Sequence, residues 1–84
     1  MNFIYVLESR VDRSWYIGRT NNIKRRIKEH NCGKSIYTNK KKPWRLIYLE
    51  GYVNIDDAKG REKYLKSGAG RIKLKDQLKN YLKS

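Results

Sequence analysis

The chain has 84 residues, enough for one modest hydrophobic core and too few for a second. Its 21 Lys and Arg against 8 Asp and Glu give a net charge of +13, which makes polyanions the natural partners; anionic membranes fit less well, because the most basic segments lack a broad opposing apolar face. A lone cysteine, Cys32, excludes an intramolecular disulfide, and no run reaches membrane-spanning length, so a cytoplasmic protein with no membrane and no disulfide-linked partner is expected.

Residues Asn2 to Ser9 are rich in aromatic and β-branched side chains and predict a strand. Arg10 to Ser14 form a short turn into a second strand, Trp15 to Gly18, giving an antiparallel hairpin. Phe3, Tyr5 and Leu7 share one face of the first strand, and Ile4 and Val6 share the other, so cover is expected on both sides. A helix capped by Asn21 or Asn22 runs to Gly33; its apolar content is thin, and Arg26 and His30, four residues apart, lie on one side. From Lys34 to Lys42 the chain reads as a mobile basic loop containing Tyr37 and Thr38, closed by Pro43.

Trp44 to Gly51 alternates, with Trp44, Leu46 and Tyr48 on one face and Ile47 and Leu49 on the other, and its apolar content predicts a central third strand. Asn54 caps a second helix whose Ala58 and Leu65 face the core with the aliphatic part of Arg61 or Glu62. The Ser67-Gly68-Ala69-Gly70 stretch ends it. Leu74, Leu78, Tyr81 and Leu82 mark the inner stripe of a third helix. The fold class is therefore α+β: one domain over residues 1–84, a three-stranded antiparallel sheet flanked by helices in the order β-β-α-β-α-α.

The chemistry concentrates at the strand-to-helix junction Trp15 to Asn31. Arg26 suits a phosphate because its planar fork donates paired hydrogen bonds; Arg19, at the end of the second strand, can approach the same point. His30 has a reference pKa near neutrality and can shuttle a proton or position water. Glu62, between Arg61 and Lys63, can hold one hydrated divalent cation, a weak site that a substrate phosphate would complete. Each residue also has an ordinary reading. The arginines can be surface cations, His30 can complement a helix C-terminus, Glu62 can be an ion-pair partner, and Tyr5 and Tyr16 can be packing groups.

The order Tyr5, Tyr16-Ile17-Gly18, Arg19, Arg26-x-x-x-His30-Asn31 and Arg61-Glu62-Lys63 resembles the GIY-YIG nuclease domain family from Phe3 to about Arg71. Tyr16-Ile17-Gly18 matches the second motif letter for letter, while Phe3 stands where the first motif has glycine. Glu62-Lys63-Tyr64-Leu65-Lys66-Ser67-Gly68 with Gly70-Arg71 resembles the small stand-alone bacterial branch. The resemblance implies a Mg²⁺- or Mn²⁺-dependent endonuclease acting on DNA, in repair or recombination. Carried over by position, Tyr16 helps activate water with Tyr5 assisting, and His30 handles or orients the proton. Arg26 stabilises transition-state charge, Arg19 sits near the scissile phosphate, and Glu62 ligates the metal.

Arg19, Arg25, Arg26, Lys34, Lys40, Lys41, Lys42 and Arg71 are the expected nucleic-acid contacts. With no separate recognition domain, sequence-independent or structure-directed cleavage is expected, any added specificity coming from a protein partner. Two other readings stay open: a nucleic-acid-binding module that keeps the fold without cleaving, and a docking subunit whose basic face binds a protein.

Overall fold

A computed structural model describes residues 1–84. The elements are β1 (Asn2–Ser9), β2 (Trp15–Thr20), α1 (Ile23–Asn31), α2 (Ile36–Asn39), β3 (Trp44–Tyr52), α3 (Ile55–Lys66), α4 (Gly68–Gln77) and α5 (Lys79–Lys83). The sheet is antiparallel in the order β2-β1-β3. The α+β class and three-stranded sheet are as expected, with two short helices added.

The central strand is β1, not β3. Every residue from Ile4 to Ser9 is buried, whereas in β3 only Trp44 is buried, the others being half-buried or exposed, and Leu49 is open to solvent. Apolar content misleads at β3 because its tyrosines carry polar tips: the Tyr48 hydroxyl donates to Glu50 at 2.7 Å. A bulge also breaks the alternation there. Val6 pairs with Tyr48 but Leu7 pairs with Leu46, so Ile47 is the extra residue. In consequence Tyr48 packs with Ile47 on one face while Trp44 and Leu46 pack on the other.

Both faces of β1 are covered. Ile4, Val6 and Ile17 meet Ala58 and Leu65 of α3 and Leu74 of α4. Tyr5, Leu7 and Trp44 meet Tyr16 and the α1 residues Ile23 and Ile27. The helix starts follow local chemistry: the Asn22, Asn54 and Ser67 side chains accept from the backbone N–H of Arg25, Asp56 and Gly70. Gly33, after α1, takes φ +80, the left-handed conformation expected of it.

The stretch Lys34 to Lys42 is not a featureless loop. Its α2 turn buries Thr38, whose carbonyl accepts from Trp44 Nε1 at 2.9 Å, and Ser9 Oγ donates to the Lys41 carbonyl at 2.7 Å. The expected third helix is likewise divided at Leu78 into α4 and α5, leaving Leu82 exposed. A bond of 2.6 Å from the Tyr81 hydroxyl to buried Glu8 ties α5 to the sheet.

Candidate active site

Tyr5 projects from the middle of β1 onto the α1 face, opposite Gly18 of β2. A Cβ at residue 18 would fall 2.6 Å from Tyr5 Cζ, so glycine is what lets the phenol cross the neighbouring strand. The Tyr5 hydroxyl accepts from Arg26 Nε at 3.3 Å and lies 3.0 Å from His30 Nε2. The helical spacing of Arg26 and His30 thus delivers both to one oxygen. Tyr16 completes the group, with its ring 4.8 Å from the His30 ring and 6.2 Å from that of Tyr5, centroid to centroid.

Burial divides these residues. Tyr5 and His30 are enclosed, whereas Tyr16 and Arg26 are half-buried and reach solvent. Burial pushes the Tyr5 phenol up to about 12, against the hydrogen bond from Arg26; the nearby Tyr16 and Glu62 add to the rise. Tyr5 is therefore a neutral hydroxyl near neutral pH. Burial, and then the Arg26 charge, lower His30 to about 4, so its ring is neutral as well. The hydrogen bonds to Tyr5 and to Glu29 Oε1, 3.0 Å away, raise the Arg26 pKa, and Arg26 in turn lowers that of Glu29.

His30 Nδ1 lies 2.8 Å from Thr38 Oγ1, a buried partner that lay within the presumed loop. Thr38 went unrecognised in the sequence because nothing in an aperiodic basic stretch marks a threonine that turns inward. Asn31, the last residue of the helix motif, has a structural task. It accepts from Trp44 N at 2.6 Å and donates to the Trp44 carbonyl at 3.2 Å, which fixes the start of β3 beside α1.

Glu62 and Arg19 lie on the opposite face of the sheet, the side covered by α3. Arg19 Nε is 3.3 Å from Glu62 Oε1, and Lys66 Nζ is 3.1 Å from Oε2. Arg61 pairs instead with Glu50 at 2.7 Å. The candidate residues therefore form two groups, Tyr5, Tyr16, Arg26 and His30 on one face and Arg19 with Glu62 on the other, flanking the edge strand β2. They are close enough that the Glu62 charge contributes to the Tyr5 shift.

The expected nucleic-acid contacts are more scattered. Arg25, Lys34, Lys40 and Lys42 are exposed. Lys41 pairs with Asp12 of the hairpin turn at 3.2 Å. Arg71, on α4, lines a separate hollow with Glu8, Arg13, Trp15 and Lys75, to which none of the Tyr5 group contributes.

A metal would find one suitable ligand here. No three His, Cys, Asp or Glu side chains converge to hold a metal ion. A single hard oxygen donor in a half-buried position does fit a mostly hydrated Mg²⁺ or Mn²⁺ whose remaining ligands are waters and phosphate. No helix is long and apolar enough to cross a membrane.

Known proteins resemble this chain over most of its length. The family model described as the GIY-YIG catalytic domain matches residues 1–75. The UPF0213 protein CPE1444 of Clostridium perfringens is 42% identical over 76 residues, covering 88% of this chain and 80% of that protein. The UPF0213 protein YazA of Bacillus subtilis is 39% identical over 77% of this chain and 66% of its own length, so the chain spans about two thirds of that relative. Among solved structures, the solution structure of the UPF0213 protein BH0048 from Bacillus halodurans aligns with a TM-score of 0.57 at 34% identity, covering 92% of this chain and 85% of that one. With the family model spanning both strands of the hairpin, α1, β3 and α3, the chain belongs to the GIY-YIG catalytic-domain family, in its small bacterial UPF0213 branch.

Proposed function

We propose that the chain is a divalent-metal-dependent endonuclease that hydrolyses DNA phosphodiester bonds, without sequence preference or directed by DNA structure. The observation that carries this is the convergence of Arg26 and His30 on the Tyr5 hydroxyl beside solvent-reaching Tyr16, with Glu62 across the edge strand. Of the two tyrosines only Tyr16 can meet substrate and its attacking water, so it is the phenol assigned to activating that water. A phenol is a weak base at neutral pH, and neighbouring positive charge is what makes the role feasible.

Arg26 donates toward the phosphate with the guanidinium N–H groups not used by Tyr5 and Glu29, stabilising charge that develops in the transition state. Tyr5 and His30 are positioning residues: enclosed and neutral, they hold Arg26 and Tyr16 in place. Glu62 is the residue that would hold the cation, and the cation would supply charge neutralisation at the leaving oxygen. Arg19 then holds the Glu62 carboxylate against β2 by donating to it. A role in DNA repair or recombination is consistent with structure-directed cleavage, and a protein partner could add specificity.

The test is to incubate the purified chain with single-stranded, duplex and branched DNA in Mg²⁺, Mn²⁺ or EDTA. Cleavage with metal, none in EDTA, and none by Glu62→Ala at unchanged thermal stability is the expected result. Binding without product would favour a non-catalytic nucleic-acid module, and full activity of Glu62→Ala would remove the metal assignment.

A further inference from the structure

The α2 turn shows two sides that differ sharply. Ile36 and Tyr37 are 90% and 88% exposed, the two most exposed large apolar side chains in the molecule, while the next residue, Thr38, is 1% exposed and bonded to His30. Along the chain this apolar pair is flanked by Lys34, Lys40 and Lys42, all exposed and none in an ion pair with a carboxylate. Core packing does not account for Tyr37, and two apolar side chains in so basic a segment are too few to suit an apolar protein groove. An aromatic ring among lysines matches the chemistry of a nucleobase with its flanking phosphates.

We propose that Lys34–Lys42 is a platform for unpaired nucleotides, with Tyr37 as the stacking surface, Lys34, Lys40 and Lys42 as phosphate contacts, and Thr38 as the positioning residue that fixes the platform against His30. The proposal rests on the nuclease reading for its meaning, since it places unpaired strand one residue from a side chain bonded to the candidate site. Base faces are hidden within a duplex and open in a single strand. The platform therefore favours substrates that carry unpaired nucleotides, a preference the phosphate-directed cations cannot supply.

The experiment measures binding in EDTA, where nothing is cleaved, so its outcome is independent of whether the chain proves to be a nuclease. Fluorescent oligothymidylate and a duplex of matched length are titrated with the full chain, Tyr37→Ala and Tyr37→Trp. Tyr37→Ala is expected to weaken oligothymidylate binding about 5- to 150-fold and to leave duplex binding unchanged, with Tyr37→Trp restoring affinity. Unchanged affinity, or equal losses on both ligands, would overturn the stacking role and point to a protein-facing surface.

The link to His30 has its own readout, because the chain holds a single histidine whose ring resonances are unambiguous by NMR. Thr38→Val, close in shape but lacking the hydroxyl, is expected to change the His30 tautomer balance, whereas Thr38→Ser keeps it. A His30 spectrum unaltered in Thr38→Val would overturn the link.

Discussion

Tyr5 and Tyr16 lie with ring centroids 6.2 Å apart, yet Tyr5 is enclosed and bonded to Arg26 and His30 while Tyr16 keeps an edge in solvent. Gly18 makes that difference possible, because any side chain there would occupy the space of the Tyr5 phenol. Gly18→Ala should displace Tyr5 and, through it, Arg26. Cleavage is expected to fall about 100-fold, a typical penalty for a small misplacement of reacting groups, with about 1–3 kcal/mol lost in urea unfolding. His30 gives a prediction in pH. Its unfolded pKa is the ordinary 6.5 and its folded value about 4, so between them the unfolded chain binds the extra proton and stability falls as pH drops. Glu8 and Glu29 are both held below 4.5 and titrate lower. With one histidine in the chain, His30→Gln should flatten the stability profile between pH 6.5 and 4.5, as followed by urea midpoints.

At the scale of the elements, the α3–α4 corner rests on a backbone contact. A Cβ on Gly70 would lie 2.8 Å from Leu65 Cα and against the Tyr64 carbonyl, with no flexible side chain to yield. Gly70→Ala is expected to destabilise the protein by about 2–3 kcal/mol. Gly60, within α3, has open space where a methyl group would go, so Gly60→Ala should instead stabilise by about 0.5–1 kcal/mol, both read from thermal or urea unfolding.

The hairpin, the caps at Asn22 and Asn54, and the two-sided burial of β1 follow from alternation and local hydrogen bonding, which act over a few residues. The place of β3 at an edge, the bulge at Ile47 and the inward turn of Thr38 depend on what packs across the sheet, and no local pattern encodes them. For the site, the approach of Arg26 and His30 to one point could be read from helical spacing. Strand alternation puts Arg19 on the face opposite Tyr16, but the sequence carried no sign that Glu62 would meet Arg19 there, because the position of α3 over the sheet decides that.

Over the whole molecule the charge of +13 dominates. Six ion pairs occupy only part of the cationic surface, so phosphate contacts and counterion release should govern affinity. Binding to duplex DNA is expected to weaken steeply with added KCl, linearly on a log–log plot, and Arg26→Ala should lower turnover far more than this affinity, since one phosphate contact among many contributes little to binding and much to a transition state. Equal losses in turnover and affinity would mark Arg26 as a binding residue only. In the proposed mechanism Tyr16, supported by buried Tyr5 and His30, activates water for phosphodiester hydrolysis. The most direct measurement is the nicking rate of plasmid DNA with Mn²⁺, at saturating protein, for the native chain and Tyr16→Phe, with affinity measured in parallel. Nicking by the native chain and its loss in Tyr16→Phe at unchanged affinity are expected; nicking that persists in Tyr16→Phe, or is absent from the native chain, would rule out this role for Tyr16.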